Sequence, residues 1–212
     1  MYPIAYEADF NPEPNRWTTF FRPLLAIPWL IVGYVYMIAA IFTHLFAWVA
    51  VVILGRYPQW LYNFNSGVIR FFTRVYAWEY LQTDAWPPFG ISDDPAYSIR
   101  LRIDPAAERQ SRLKAFFRIL LALPILIVLY AVGLIQAGLA IVAWLTIVFR
   151  GYLPEGVNDA MTFVNSLSAR ASGYVMLLTD DYPPVGVERA KPAGVSAPLA
   201  VPQPPPPPPA AA

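Results

Sequence analysis

The chain has 212 residues, of which 57% are hydrophobic and only 14% are charged, whereas about a quarter of the residues of a typical soluble domain are charged. The formal net charge is +1 and cysteine is absent, so the composition excludes a broad basic surface for nucleic acid, a disulfide framework, a thiolate metal site and a cysteine nucleophile. We therefore expect a mainly α-helical membrane protein that does not bind nucleic acid.

The sequence contains two tandem copies of one unit, with matched residues 96 positions apart. An internal duplication of this length decides the architecture before any local pattern does. We predict repeat 1 at residues 1–91, repeat 2 at residues 92–189 and a separate tail at residues 190–212. The matched pairs include Arg16 and Arg112, Arg22 and Arg118, Pro28 and Pro124, Gly55 and Gly151, Arg74 and Arg170, and Asp84 and Asp180.

Each repeat begins with a short segment in which apolar and polar residues alternate. Residues 2–9 alternate around Ile4, Tyr6 and Ala8, and residues 97–104 alternate in the same way. Alternation with a period of two indicates a half-exposed β-strand. Because a lone strand leaves its backbone groups unpaired, we predict that the two strands pair and join the repeats.

A long uncharged run follows in each repeat, at residues 24–54 and 119–149, after basic and aromatic residues that favour the headgroup layer. About 20 helical residues suffice to cross the hydrocarbon, so each run exceeds one crossing. We predict one transmembrane helix in each run, bent at Pro28 or Pro124. The alternative is a hairpin in each run, which gives four transmembrane helices. Single crossings set the repeats in opposite orientations, whereas hairpins set them parallel.

An amphipathic helix is predicted after each run, at residues 59–82 and 155–178. A glycine and a proline precede it, which ends one helix and starts the next. In repeat 1, Arg70 and Arg74 lie four residues apart on one helical face. Because a charge at mid-bilayer costs about 2.5 to 3.5 kcal/mol, we predict that these helices lie in the membrane interface or pack on the spans.

The end of each repeat and the tail are rich in proline. Asp84 and Asp180 are each followed by an aromatic residue and two prolines, which predicts a helix stop and an extended exit. The tail at residues 190–212 consists mainly of proline, alanine and valine. Such a composition cannot form a core, and we predict a disordered tail of polyproline II character.

The ordered series of these elements resembles the bacterial membrane family known as domain of unknown function 4389, in two tandem copies. The resemblance covers nearly all of the chain except the tail. Repeat 2 departs from the pattern at residues 151–154, which lack the arginine after glycine, and at Val185, where the pattern has phenylalanine. The family has no established activity, so the resemblance implies a fold and a membrane location but no chemistry. In repeat 1, the resemblance to this family rests on residues 2–9, 20–28, 55–58, 70–74 and 83–89.

The charged residues that occur in both repeats are the candidate polar or headgroup site. In a structural interpretation, the arginines anchor helices to headgroups, while Asp84 and Asp180 cap a helix or pair with an arginine of a neighbouring helix end. In a functional interpretation, Arg74 or Arg170 pairs with one of these aspartates and binds an anionic lipid head or substrate. The candidates are Arg16, Arg22, Arg74, Asp84, Arg112, Arg118, Arg170 and Asp180.

Signatures of enzymes and of metal sites are missing from the sequence. There is no glycine-rich phosphate loop, nucleophile elbow or His-Glu-X-X-His motif. His44 is the only histidine, and we expect it to pack in the apolar run. Gln136, which is polar in mid-run, is expected to bond between helices. We expect no catalytic activity, no cofactor and no metal. A closed pocket lined by Asp84, Asp180 and an arginine would instead indicate an enzyme.

These patterns favour a non-catalytic scaffold or accessory subunit of a membrane, and the resemblance implies a bacterial cytoplasmic membrane. The alternative is a lipid-handling or small-solute transport protein with a site between the repeats. Transport of a polar solute needs polar residues at mid-span, and only His44 and Gln136 qualify. We expect no cleavable signal peptide, because the first residues lack a basic and then apolar pattern. The expected partners are the lipid bilayer, anionic lipid, and a membrane protein or a second copy of the chain.

Overall fold

The computed structural model describes residues 2–186, so the tail predicted at residues 190–212 lies outside the described residues. The described chain is mainly helical, with one two-stranded sheet. Its elements are β1 (Ile4–Ala8), α1 (Arg16–Leu25), α2 (Ile27–Leu54), α3 (Gln59–Glu79), β2 (Ile99–Ile103), α4 (Arg112–Phe116), α5 (Arg118–Arg150) and α6 (Glu155–Val175).

Each apolar run forms one continuous helix. The helices α2 and α5 have 28 and 33 residues and contain no turn, so the hairpin alternative is not formed. Both end at a glycine in the left-handed region, Gly55 with φ 69° and Gly151 with φ 83°, where residues with a side chain are strained. Pro28 is the second residue of α2, where its missing N–H breaks no helical bond, whereas Pro124 lies inside α5.

The predicted strands pair with each other across the two repeats. β1 and β2 are antiparallel, with Tyr6 opposite Leu101 and Glu7 opposite Arg100. One face of the sheet carries the buried side chains of both strands, which are Ile4, Tyr6, Ile99 and Leu101. This face covers a core between the sheet and the helices α3 and α6.

In repeat 1, α3 runs antiparallel to α2 along its whole length. The ring centroids of Trp29 and Trp78 are 5.4 Å apart, and Thr43 Oγ1 donates to Asn65 Oδ1 at 2.8 Å. As the residue number rises in α2, it therefore falls in α3. In repeat 2, residues of α5 and α6 form an equivalent apolar cluster.

The sheet lies on the side of α3 that faces away from α2. Tyr62 of α3 donates its hydroxyl to Asp104 O at 2.6 Å, and Arg70 Nε donates to Leu101 O at 3.2 Å. On the helical wheel, the mean direction of Tyr62 and Arg70 is opposite to the mean direction of Asn65 and Trp78, which contact α2. The fold therefore has three layers: the sheet, then α3 and α6, then the long helices α2 and α5.

The two repeats exchange elements with each other. The lead-in helix α1 packs on α5, where the rings of Phe20 and Trp144 are 6.0 Å apart. Helix α4 packs on α2 in the same way, and Trp48 Nε1 donates to Ala115 O at 3.0 Å. Likewise β1 packs on α6, and β2 packs on α3. Each exchange therefore has its counterpart in the other half: α1 on α5 matches α4 on α2, and β1 on α6 matches β2 on α3.

Candidate functional site

A buried arginine and an aspartate close repeat 1. Arg22 is 2% exposed, and its Nη2 lies 2.6 Å from Asp84 Oδ1. Its Nη1 donates to Trp78 O at 2.6 Å and to Thr83 O at 3.2 Å, and its guanidinium lies 4.9 Å from the Trp78 ring centroid. Burial lowers the pKa of Arg22, while the charge of Asp84 opposes this shift. The contacts tie the end of α1 to the end of α3.

The second carboxylate oxygen of Asp84 binds the backbone at the start of helix α1 in the same repeat. It accepts a hydrogen bond of 2.7 Å from the backbone N–H of Asn15, the residue whose side chain caps α1. Charge-assisted bonds of this kind are shorter and stronger than neutral ones. Asp84 thus pairs with an arginine of a neighbouring helix end, which is the structural role expected of it from sequence.

The same arrangement closes repeat 2. Arg118 Nη2 lies 2.9 Å from Asp180 Oδ1, and Asp180 Oδ2 accepts from Ser111 N at 2.7 Å. The Arg118 guanidinium lies 4.1 Å from the Tyr174 ring centroid. Within residues 2–186, however, Nη1 and Nε of Arg118 have no hydrogen-bond partner. The duplication therefore preserves the ion pair but not every bond around it.

The predicted pairing of Arg74 with Asp84 is not formed. Arg74 Nη1 donates to Ser92 O at 2.9 Å, and its Nη2 lies 3.8 Å from Asp93 Oδ1. Arg74 lies on the side of α3 that faces the sheet, whereas Asp84 follows the end of α3 and turns back towards α1. The guanidinium of Arg170 lies 5.9 Å from the Tyr2 ring centroid.

The arginines of the candidate set do not all anchor helices to headgroups. Arg22, Arg74 and Arg118 are each 2% exposed, so their charges lie inside the protein. Arg16 is at the surface, but its Nη2 donates to Arg150 O at 3.0 Å, a carbonyl at the end of α5. Arg112 is likewise exposed and lies beside Gly55, at the end of α2. Each of these two arginines therefore lies at the C-terminal end of the long helix of the opposite repeat.

A buried amide cluster between the repeats was not predicted from sequence. Gln82 Oε1 accepts from Tyr6 OH at 2.8 Å and also accepts from Asn165 Nδ2, while Gln82 Nε2 donates to Thr162 Oγ1 at 2.9 Å. The sequence gives no signal for it, because the chain turns before Gln82 at Leu81, whose positive φ of 69° is uncommon for a leucine. The cluster joins α3, α6 and β1, and it has no counterpart in the other half because Leu178 stands at the matched position.

A polar groove opens on the side of α3 next to the sheet. Its volume is about 460 Å³, and Arg70 projects into it with 17% of its side chain exposed. Burial raises the pKa of Tyr62 to about 12. In repeat 2, glutamate, aspartate and serine stand at the positions matched to Gln59, Asn63 and Arg70, so the positive charge belongs to repeat 1 alone. The lining residues are Gln59, Tyr62, Asn63, Ser66, Arg70, Ile91, Ser92, Ile103 and Pro105.

The polar residues of the long helices have few partners. Gln136 is 2% exposed, and neither its amide nitrogen nor its amide oxygen has a hydrogen-bond partner among residues 2–186. The interhelical bond expected of Gln136 is therefore not formed. His44 Nδ1 also has no partner in that range. In the same part of the chain, no group of three or more histidine, aspartate or glutamate side chains is placed to hold a metal ion.

A comparison with protein families places both repeats in one family. The model named Domain of unknown function (DUF4389) matches residues 16–90 and again residues 112–185. The chain belongs to the DUF4389 family. Each DUF4389 segment begins at a lead-in helix and ends after the two prolines, so the two Arg–Asp pairs lie inside the matched segments and both strands lie outside them. No curated protein and no solved structure matches this DUF4389 chain.

Proposed function

We propose that this DUF4389 protein is an integral membrane protein with a non-catalytic, scaffolding role. The observation that carries the proposal is the exposure of its most apolar helices. Among residues 2–186, α2 and α5 are long and apolar enough to cross a membrane, yet only 17% of the most apolar stretch of each is buried within the protein. A core helix of a soluble protein would be mostly buried, and soluble monomers rarely expose apolar patches of this extent.

The matched charges support a structural role for the repeats. Asp84 and Asp180 each use both carboxylate oxygens within their own repeat, on an arginine and on the start of a lead-in helix. A catalytic carboxylate needs an oxygen directed at substrate. Exchange of strands and lead-in helices between the repeats further favours a rigid unit that presents surfaces to partners. We place the protein in a bacterial cytoplasmic membrane because the sequence resembles a family of bacterial membrane proteins.

Membrane insertion is tested by making the full chain in a detergent-free translation mixture that contains liposomes. We expect the protein to float with the liposomes and to resist alkaline washing. A chain that stays monodisperse in buffer would contradict the proposal. The scaffold role is tested by cross-linking in intact cells, followed by mass determination. A defined complex with a membrane protein or a second copy is expected, and an exclusively monomeric chain would contradict that role.

The polar groove supports a second candidate function, the binding of an anionic lipid headgroup between the repeats. Its wall contains Arg70 from repeat 1, and Ile103 and Pro105 from repeat 2. Native mass spectrometry with anionic phospholipid tests this function. Arg70→Gln should lose a bound lipid that the wild-type protein and Arg102→Gln retain, since Arg102 does not line the groove. Equal lipid binding by all three proteins would exclude the groove as the site.

A further inference from the structure

The charged face of the sheet lies level with the middle of the long helix α2. The ring centroids of Tyr36 and Phe71 are 5.0 Å apart, which places the middle of α2 beside the middle of α3. One residue earlier in α3, Arg70 bonds to Leu101 of the sheet. The long helices, the inner helices and the strands therefore run side by side, and the short sheet lies beside the middle of the longer α2.

Charged side chains cover the outer face of that sheet. Arg100 lies 2.7 Å from Asp9 and 3.5 Å from Glu7, and Arg102 lies 3.5 Å from Asp104. Four of these side chains are exposed to about half of their area, at 50% for Glu7, 52% for Asp9, 55% for Arg102 and 49% for Asp104. If α2 crossed the bilayer, all of them would lie at the depth of the hydrocarbon. Charges there are costly unless they face a protein interior or a water-filled cavity.

The opposite face of the molecule is apolar along its whole length. The outward residues of α2 recur at intervals of three and four, which makes one continuous stripe on the side away from α3. No charged residue stands between Arg22 and Arg56. In the layer order described above, α5 lies beside α2, and its outward residues such as Ile127, Leu134 and Ile141 are also exposed. Exposed members in α2 are Leu30, Ile31, Ile38, Ile41, Leu45 and Phe46.

We infer that α2 and α5 lie along the plane of the membrane, with their outer faces in the acyl chains of one leaflet and the charged sheet in water. The inference rests on the proposed membrane function. It changes how the helices lie in the bilayer and turns the groove beside Arg70 towards water, so it competes with the lipid-headgroup candidate. A helix about 10 Å in diameter fits within one leaflet, which is about 15 Å of the roughly 30 Å hydrocarbon core.

The ends of the long helices suit this position. Arg16 and Arg150 lie together at one end, and Arg56 and Arg112 lie at the other. Basic residues at the edge of an apolar face attract anionic headgroups, as in helices that lie in the membrane interface. Because the contacts of one repeat are matched in the other, both repeats then meet the same leaflet. The acyl-chain layer is therefore the occupant that fits this face.

Spin labels along α2 test the orientation, because the natural chain has no cysteine. Single cysteines replace Ile31, Ile38 and Leu45 on the outer face, and Arg102→Cys reports the sheet. The full-length variants carry a nitroxide in liposomes, and collision with oxygen and with a nickel chelate gives the depth of each label. We expect one common depth within a leaflet at the three α2 positions and a water-exposed label at position 102.

A crossing helix would give a different profile. Successive labels are seven residues apart, so depth would change by about 10 Å from Ile38 to each neighbour, and that result would overturn the inference. Strong spin coupling at all three positions would show a second copy on this face and would also overturn it. Labels at all four positions in water would instead contradict the proposed membrane function itself.

One-sided labelling gives an independent readout. Glu13→Cys and Arg56→Cys flank the unit formed by α1 and α2, and both positions are exposed. On sealed vesicles that contain the full chain, a membrane-impermeant maleimide should react with both from the same side as Arg102→Cys. Since α2 contains no turn, reaction from the same side requires a helix that does not cross. Reaction of positions 13 and 56 from opposite sides would overturn the inference.

Discussion

Tyr2 and Tyr97 hold equivalent places in opposite repeats. Each stands before its strand, and each donates its hydroxyl to a carbonyl next to the aspartate that closes the other repeat. Tyr97 OH donates to Ala85 O at 2.8 Å, and Tyr2 OH donates to Asp181 O at 3.2 Å. The two Arg–Asp closures are thereby connected through the strands, and the repeats are held together at both ends of the sheet.

Removal of Arg22 should strongly destabilise the fold. Arg22→Ala leaves Asp84 without its cation and removes the guanidinium bonds to the carbonyls of Trp78 and Thr83. Breaking one partner of a buried pair costs about 3–5 kcal/mol. Thermal unfolding in a mild detergent measures the loss. The exposed control Arg102→Ala should change stability by about 0–1 kcal/mol.

The ion pair makes a further prediction for the double variant. Arg22→Ala combined with Asp84→Ala should cost clearly less than the sum of the two single changes, because the second change removes a charge that is already unpaired. Full additivity in the same melting assay would mean that the two side chains do not interact in the folded protein.

Tyr97→Phe should weaken the link between the repeats by a small amount. It removes one hydrogen bond to Ala85 O and keeps the buried ring, so the expected loss is about 0.5–1.5 kcal/mol. Chemical unfolding monitored by tryptophan fluorescence measures it. Tyr34→Phe is the matched control, because Tyr34 is 66% exposed and should tolerate the change. Equal effects of both substitutions would argue against the role given to Tyr97.

Glu79 should make stability depend on pH. Burial raises the pKa of Glu79 above its ordinary value, so the folded state favours the protonated acid. The stabilising effect is complete below the unfolded pKa and is lost as the pH rises through the folded pKa. Glu79→Gln should therefore raise the melting temperature at pH 7 relative to the wild type and change it little at pH 4. The exposed control Glu108→Gln should show no such difference, and a gain that is the same at both pH values would contradict the prediction.

Gly67 should not tolerate a methyl group. A Cβ at this position would lie 2.7 Å from the backbone oxygen of Ile91, which cannot move as freely as a side-chain end. Gly67→Ala should cost about 1–3 kcal/mol through this clash. Gly133→Ala, in a helix with open space around the glycine, should be neutral or stabilising by up to about 1 kcal/mol. Comparable unfolding curves for the two variants would show that the Ile91 segment moves away.

Local patterns in the sequence predicted most of the elements. Alternation around Ile4 and Tyr6 predicted β1, and the long uncharged runs predicted α2 and α5. Both signals depend only on residues that are close together in the sequence. The duplication also pointed to Arg22 and Asp84 as important positions. It could not pair them, since 62 residues separate the two and the sequence does not show which face of α1 meets the end of α3.

The layer order was beyond prediction for a related reason. The polar side of α3, with Arg70 and Arg74, was visible in the sequence, and two environments could satisfy it: the membrane interface or a neighbouring element. The structure places the sheet there, so Arg70 contacts Leu101 and Arg74 contacts Ser92. Long-range pairing of the two strands determines this choice, and it leaves no signal in α3 itself.

Lipid contact along the outer faces of α2 and α5 can be measured by a nitroxide scan of positions 27–54 in liposomes, read as oxygen accessibility. We expect a period of about 3.6 residues, with high values at exposed positions such as Ile38 and Leu45 and low values at the buried Ala40 and Ala47. High accessibility of Ile38 and Leu45 to a water-soluble nickel chelate would show that these faces lie in water instead.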